Sequence, residues 1–133
     1  HWHIGRVDGV VVAVAKTAEV TVTLTSEGRQ ETILTLAGVA TDPRRAGKGY
    51  GSAVVKAALA RCDADGRMMV FQTGDALPMY LKLGCVELDH ALTINTRQDN
   101  KDGKRPFSDY HAVMYPPNRV PTGGPIDLHG PGW

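Results

Sequence analysis

The sequence has little of what several protein classes require. Cys62 and Cys85 are its only cysteines, too few for a disulfide framework and without metal-site spacing. We expect both to be reduced and buried in a cytoplasmic protein. The net charge is only +1, so no excess of one sign indicates nucleic acid as a partner. No apolar run approaches the length of a membrane span, and we expect no membrane association.

What is present is an ordinary globular composition, with 42% hydrophobic and 22% charged residues. A chain of 133 residues is long enough to bury a core, and we expect a single domain over residues 1–133. Five of the eight prolines lie from Pro116 onward, together with four glycines. Residues 116–133 are therefore predicted to form an irregular tail.

The first part of the chain is rich in strand patterns. Asp8-Gly9 predicts a hairpin turn after a short strand. A long strand should follow, bent at the polar pair Lys16-Thr17. Residues 32–41 are apolar on both faces, which is typical of a central strand. Gly38 within them indicates a β-bulge or a close approach of another backbone.

Helical spacing begins at about Ser52 and ends near Asp65-Gly66. A second helix is predicted from Asp75, a suitable N-cap, to Gly84, a natural stop. Further strands are predicted at residues 68–73, 85–93 and 109–115. The alternation of strands and helices predicts a mixed α/β fold.

The segment between the central strand and the first helix carries the most chemical information. An apolar run stops at Asp42-Pro43, and Gly47, Gly49 and Gly51 follow at every second position. A strand, a glycine loop and a helix N-terminus in this order form an anion site, because loop N–H groups and the helix dipole favour negative charge. The glycine spacing fits neither a P-loop nor a dinucleotide-binding loop.

This segment resembles the coenzyme A pyrophosphate loop of the GNAT superfamily of N-acetyltransferases, which reads Gln/Arg-x-x-Gly-x-Gly/Ala. When the two are aligned on Gly49 and Gly51, Ala46 occupies the Gln/Arg position. Arg44 or Arg45 could supply the missing charge from a neighbouring position.

A second segment, residues 76–85, is similar to the family's Ala-x-x-x-Tyr-x-Lys-x-Gly-Phe. Cys85 stands in place of the usual aromatic residue. Two such segments in this order, joined by a helix and a strand, indicate the GNAT superfamily more specifically than either segment alone. The resemblance extends roughly from Gly9 to Thr93.

The resemblance implies a GNAT-like fold, with a mixed, mostly antiparallel, twisted sheet that has a central splay and is flanked by helices. It also implies transfer of an acetyl group from acetyl-CoA to a primary amine. Tyr80 would be the catalytic acid that protonates the departing thiolate; the alternative is a tyrosine that only packs in the second helix.

The resemblance also implies where acetyl-CoA binds. The backbone of the central strand would pair with the pantetheine arm, and the loop N–H groups would hold the pyrophosphate. Lys48 would add charge or remain solvated. The implied cofactor-binding residues are Val39, Ala40, Thr41, Ala46, Gly47, Lys48, Gly49, Tyr50, Gly51 and Ser52.

The sequence does not identify the general base, the group that would remove a proton from the attacking amine. Many family members place a glutamate on the central strand before the loop, where this chain has Leu36, Ala37 and Gly38. A water chain to a distant carboxylate is one alternative. The candidate side chains are Glu31, Asp75, Glu87, Asp89, His90 and His111.

The acceptor is expected to be a small molecule, because no basic or acidic patch points to a larger partner. The alternatives are an enzyme that acetylates a protein lysine or N-terminus, and an acyl-CoA-binding module without catalysis. We expect no metal ion, since His1 and His3 alone are weak evidence for one.

The two ends of the chain raise separate expectations. Family members usually begin with a strand and two helices, and this sequence starts after them. It is therefore a fragment, a shortened member or a chain completed by a partner, for which a homodimer is one form. At the other end, a terminal carboxylate on Trp133 could bind a cationic acceptor with Asp127, as in some aminoglycoside acetyltransferases. A loose tail is the favoured alternative.

Overall fold

A long hairpin of two strands organises the fold. The computed structural model describes residues 1–96, 106–107 and 109–130. The strands are β1 Trp2–Val7, β2 Val10–Leu24, β3 Arg29–Thr41, β4 Met69–Thr73, β5 Val86–Leu88, β6 Thr93–Ile94, β7 His111–Tyr115 and β8 Ile126–Asp127. The helices are α1 Tyr50–Asp65 and α2 Leu77–Lys82, and short 3-10 turns lie at Pro43–Arg45, His90–Leu92 and Pro117–Arg119.

The strands of the described residues form one sheet. Their spatial order is β5-β7-β4-β3-β2-β8-β6, and β1 pairs with the first half of β2. The pairs β3–β4 and β6–β8 are parallel, and the other pairs are antiparallel. The mixed, mostly antiparallel sheet that the resemblance implied is therefore confirmed.

One β-bulge interrupts the pairing of β2 with β3. The register shifts between Ala15 and Thr17, where two residues of β3 oppose Lys16 alone. One of these two is Gly38, whose φ of 90° is a conformation that L side chains rarely adopt. The polar break in β2 and the glycine in β3 thus mark the same bulge, as both signals predicted.

The sheet opens next to this bulge. Within the described residues, β3 and β4 are in register only at Leu34 and Met69. The N–H of Leu34 donates to the carbonyl of Met68 at 2.9 Å. Beyond this point β3 continues to Thr41 paired with β2 alone. The gap between β3 and β4 is the central splay that the resemblance implied.

Two hydrophobic clusters pack on opposite faces of the sheet. The first contains Phe71 and Val113 and is covered by α1 and α2. The second contains Val70 and Met114, the alternate residues of the same strands. Successive side chains of a strand point to opposite faces, so each strand contributes to both clusters. Cys62 and Cys85 are free and buried in the first cluster, as expected.

Two predicted boundaries are wrong for local reasons. Asp75 is not the cap of α2, because the helix begins at Leu77 after Ala76 and has no side-chain cap. The strand predicted at residues 85–93 is divided in two. The Asp89 carboxylate accepts the N–H of Ala91 at 2.9 Å and forms a 3-10 turn between β5 and β6.

The tail is more regular than its prolines predicted. Strand β8 pairs with β2 and β6. Ile126 and Leu128 pack in the second cluster with Phe107. Ile126 and Leu128 therefore pack on the sheet face opposite α1, next to the end of β2 at Leu24. The charged loop predicted at residues 95–106 lies mostly outside the described residues.

Truncating Ile126 tests whether the tail is part of the core. Ile126→Ala should lower the free energy of unfolding by about 2–5 kcal/mol, because the side chain is fully buried. Ile4→Ala is the matched control on an exposed strand position and should cost about 1 kcal/mol or less. Urea unfolding measures both, and equal costs would contradict the assignment of the tail to the core.

Candidate functional site

The loop between β3 and α1 is fixed by one ion pair and two glycines. The Asp42 carboxylate accepts hydrogen bonds from the Arg44 backbone N–H at 3.0 Å and from its guanidinium at 3.0 and 3.1 Å. These bonds lower the pKa of Asp42. Gly47 and Gly49 have φ angles of 79° and 80°, which a side chain would strain. The sequence thus specifies this turn locally.

The first turn of α1 presents free backbone donors. Gly49 is the N-cap and has no side chain to accept a hydrogen bond. The N–H groups of Tyr50, Gly51 and Ser52 precede the first intrahelical bond, from Ala53 to the carbonyl of Gly49 at 3.0 Å. Helix α1 has 16 residues, so its dipole adds partial positive charge at this end. An anion would be stabilised here.

The end of β3 lies directly against the start of α1. A Cβ atom added at Gly51 would lie 2.9 Å from Thr41 Oγ1, closer than real Cβ atoms come. Any other residue would force the Thr41 side chain or the backbone to shift. The third glycine of the loop therefore brings the helix N-terminus to the end of the splayed strand.

An open cleft of about 290 Å³ lies at this junction, and we call it the α1 cleft. It is lined by Thr41, Arg45, Ala46, Gly47, Gly49, Tyr50, Gly51, Ser52 and Met79. Seven of the sequence-predicted residues therefore meet here. Met79 is an addition that the sequence did not suggest, because α2 reaches the cleft only through the tertiary fold.

A second cleft, the basic groove, adjoins the first. It is lined by Val10, Asp42, Arg44, Arg45 and Lys48. Arg45 lines both clefts, whereas the Arg44 guanidinium is bound to Asp42. Of the two arginines considered from the sequence, Arg45 is thus the better placed to supply charge at the α1 cleft. Lys48 lies in the basic groove.

The remaining predicted cofactor residues lie along the splay. Val39 and Ala40 precede Thr41 on β3. One edge of this part of β3 is paired with β2, and the other edge faces β4. Val39 packs against the first cluster, and Ala40 is exposed. The backbone of this segment therefore has a free hydrogen-bonding edge on the side of β4.

Tyr80 lies on α2, the helix that reaches the α1 cleft, but it is buried and is not among the residues that line the cleft. It follows Met79 in α2, and only 5% of its surface is exposed. Its ring packs edge-to-face on Phe71, with centroids 4.8 Å apart. Burial, followed by the nearby Cys85, raises the pKa of Tyr80, so the phenol keeps its proton. Its hydroxyl makes no hydrogen bond with any described residue.

The candidate bases are mostly held by other groups. Glu31 is bound by Arg29 at 3.2 Å and by Arg119. The His90 Nε2 atom lies 2.8 Å from the carbonyl of Tyr110, and Asp89 accepts from Ala91. Glu87 and His111 pair with each other at 2.5 Å on the outer strands β5 and β7. Asp75 is exposed. None of these side chains lines the α1 cleft.

The tail proposal for a cationic acceptor is not supported at Asp127. This carboxylate is buried and accepts the N–H groups of Thr96 and His129 at 3.2 and 3.0 Å. Burial alone would raise the pKa of Asp127, but the hydrogen bonds from the Thr96 hydroxyl and from the N–H groups of His129 and Thr96 outweigh burial and lower the pKa. Asp127 is thus occupied within the tail, and Trp133 lies outside the described residues.

Comparison with known proteins agrees with this geometry. The family model of the acetyltransferase (GNAT) domain matches residues 2–87. The chain therefore belongs to the GNAT acetyltransferase family. None of the curated proteins matches this chain. Neither α1 nor α2 has the length and hydrophobicity that a membrane crossing requires.

Solved structures share the fold at low sequence identity. A GNAT family N-acetyltransferase from Escherichia coli, in complex with CoA, has a TM-score of 0.61 and 18% identity, over 95% of this chain and 65% of that chain. A GCN5-related N-acetyltransferase from Kribbella flavida has a TM-score of 0.53 and 23% identity, over 60% of this chain and 20% of that chain. A histone acetyltransferase HPA2 and related acetyltransferase from Corynebacterium glutamicum has a TM-score of 0.53 and 21% identity, over 86% of this chain and 62% of that chain. This chain thus spans less than two thirds of the length of each.

The buried thiols near Tyr80 predict a loss of stability at alkaline pH. Burial raises the pKa of Cys62 to about 12 and that of Cys85 to about 11, from an ordinary value of 9.0. Above pH 9 the unfolded chain therefore holds fewer protons than the folded chain. The free energy of unfolding should fall by up to ~1.4 kcal/mol per pH unit for each thiol.

Urea unfolding between pH 8 and 10 measures this slope. The stability contributed by the thiols is complete below pH 9 and declines above it. Cys62→Ala should reduce the slope by about half, one of the two thiols being removed. An unchanged slope in both Cys62→Ala and Cys85→Ala would contradict the raised pKa values.

Proposed function

We propose that this chain is an N-acetyltransferase that moves an acetyl group from acetyl-CoA to the primary amine of a small molecule. One observation carries the proposal: the N-terminus of α1 lines the α1 cleft, and α2, which carries the buried, protonated phenol of Tyr80, reaches the same cleft. Met79 links them, because it lines the cleft and precedes Tyr80. Membership of the GNAT family supports acetyl transfer as the reaction.

The α1 cleft suits the pyrophosphate of acetyl-CoA. Its volume of about 290 Å³ is small for a whole cofactor, so the rest of the molecule would extend beyond it. The loop and first-turn N–H groups would donate hydrogen bonds to the phosphate oxygens, with Arg45 and Lys48 adding positive charge. The pantetheine arm would continue along residues 39–41 and pair with the free edge of β3.

Tyr80 would act on the leaving group. The amine nitrogen forms a bond to the thioester carbonyl carbon and loses a proton to solvent, the carbon–sulfur bond breaks, and the sulfur leaves as the thiolate. The phenol donates its proton to that sulfur and recovers one from solvent. The raised pKa of Tyr80 supports this role, because the acid must be protonated at neutral pH.

Two other functions are weighed against this one. An enzyme that acetylates a protein amine would use the same cofactor cleft, and a panel of small amines and peptides separates the two. A binding module without catalysis is favoured by Ala46 at the Gln/Arg position and by the lack of a carboxylate at residues 36–38. Such a module would bind acetyl-CoA but release no thiol with any amine.

Removing the Tyr80 hydroxyl should separate catalysis from binding. Tyr80→Phe should lower turnover by about 10²–10⁴, the usual contribution of a general acid, and leave acetyl-CoA affinity within about threefold. Thiol release and calorimetric titration measure the two quantities. Tyr110→Phe is the control, because that side chain is 80% exposed. Normal turnover in Tyr80→Phe would show that Tyr80 is not the acid.

A side chain at Gly49 should block the cofactor. Gly49→Val should weaken acetyl-CoA binding at least about tenfold, since the loop N–H groups can no longer approach the pyrophosphate. Gly28→Val is a matched control, because Gly28 also has a positive φ, of 59°, but lies in the β2–β3 turn. Calorimetric titration with acetyl-CoA, with ATP and NAD alongside, measures binding. Equal affinity in both variants would contradict the loop assignment.

A further inference from the structure

A buried hydroxyl without a partner lies where the sheet opens. Thr35 is 1% exposed, and its Oγ1 atom makes no hydrogen bond with any described residue. A hydroxyl buried in this way is costly unless something else completes its hydrogen bonding. Thr35 follows Leu34, the last residue of β3 in register with β4. The unpartnered hydroxyl is therefore at the closed end of the splay.

The alternation of β3 decides which side of the splay this hydroxyl faces. Leu34 and Leu36 belong to the first cluster, under α1 and α2, and Ile33 belongs to the second. Thr35 lies between the two leucines and so faces the side of Ile33. Tyr80 is in the first cluster. The phenol and the hydroxyl thus lie on opposite sides of the gap between β3 and β4.

Transfer of an acetyl group needs two proton movements at one carbonyl carbon. The sulfur must gain a proton, and the attacking amine must lose one. A thioester held in the gap would have Tyr80 on the side of its sulfur and Thr35 on the side from which the amine attacks. No charged candidate base lines the α1 cleft among the described residues. The Thr35 hydroxyl, buried and unpartnered where the pairing of β3 with β4 ends, can hold a water in the gap.

We propose that Thr35 is a positioning residue, whose Oγ1 holds the water that accepts the proton of the attacking amine. This inference depends on the proposed acetyltransferase function. The amine nitrogen bonds to the carbonyl carbon and passes its proton to the water held by Thr35, which passes one on to solvent. The carbon–sulfur bond breaks, and Tyr80 protonates the sulfur. The products are the acetylated amine and CoA thiol.

Thr35→Val tests this role, because valine has the shape of threonine without the hydroxyl. Methylamine serves as the probe acceptor, and the release of CoA thiol is measured. Thr35→Val should lower turnover about tenfold, the effect of losing one hydrogen bond in the transition state. Acetyl-CoA affinity by calorimetry should stay within about twofold. Thr35→Ser keeps the hydroxyl and should restore most of the activity.

Thermal unfolding separates this role from a structural one. Thr17 is the matched control, a fully buried threonine whose hydroxyl accepts from Arg61 at 2.9 Å. Thr17→Val should lower the Tm, because it leaves Arg61 without this partner. Thr35→Val should leave the Tm unchanged or raise it, since no protein partner is lost.

Each outcome decides the proposal. Wild-type turnover in Thr35→Val overturns it, and so does a Tm that falls as far as in Thr17→Val. If the wild-type chain binds acetyl-CoA but releases no thiol, the proposed function fails. Thr35→Val turnover then has no meaning, and the inference fails with it. If wild-type turnover is present and Thr35→Val alone is unaffected, only the Thr35 inference fails.

Discussion

The β-bulge at Gly38 is the constraint on which the candidate site depends. Two residues of β3 oppose Lys16 alone, so the strand must twist there more strongly than its neighbours. β3 stays paired with β2 on both sides of the bulge, and the divergence therefore falls on its other edge, where pairing with β4 ends at Leu34. If β3 and β4 had remained paired beyond Leu34, the backbone N–H and carbonyl groups on this edge of β3 would have been bonded to β4. The bulge thus leaves one strand edge free inside the sheet.

A free strand edge alone would not select a ligand, and the glycine loop adds the charge. Gly47 and Gly49 turn the chain, and Gly51 lets α1 begin against Thr41. The donors of the helix N-terminus therefore continue the line of donors and acceptors along β3. An elongated molecule with an anionic end and an amide-containing arm matches this arrangement better than a compact anion does.

Features that a few neighbouring residues encode could be predicted from the sequence. The bulge, the loop and the limits of α1 to within two residues follow from glycine and polar positions that act locally. The cap of α2 and the strand at residues 85–93 could not, because Asp75 and Asp89 are equally suitable caps by residue type. Contacts made by the tertiary fold were also beyond the sequence. Met79 reaches the α1 cleft, and Ile126 enters the core from a proline-rich tail.

The surroundings of Tyr80 help to distinguish the acid from a packing residue. Packing on Phe71 requires only a ring, and phenylalanine would supply it without burying a hydroxyl. The Tyr80 hydroxyl has no partner among the described residues, yet it is not one of their fully enclosed unpartnered atoms, so it can meet a molecule from outside the core. The Thr35 hydroxyl, across the splay, is fully enclosed and unpartnered, and burying it costs free energy unless something completes its hydrogen bonding. Packing alone does not explain these two hydroxyls, and the proposed reaction gives each of them a partner: the sulfur of the thioester for Tyr80 and a water for Thr35.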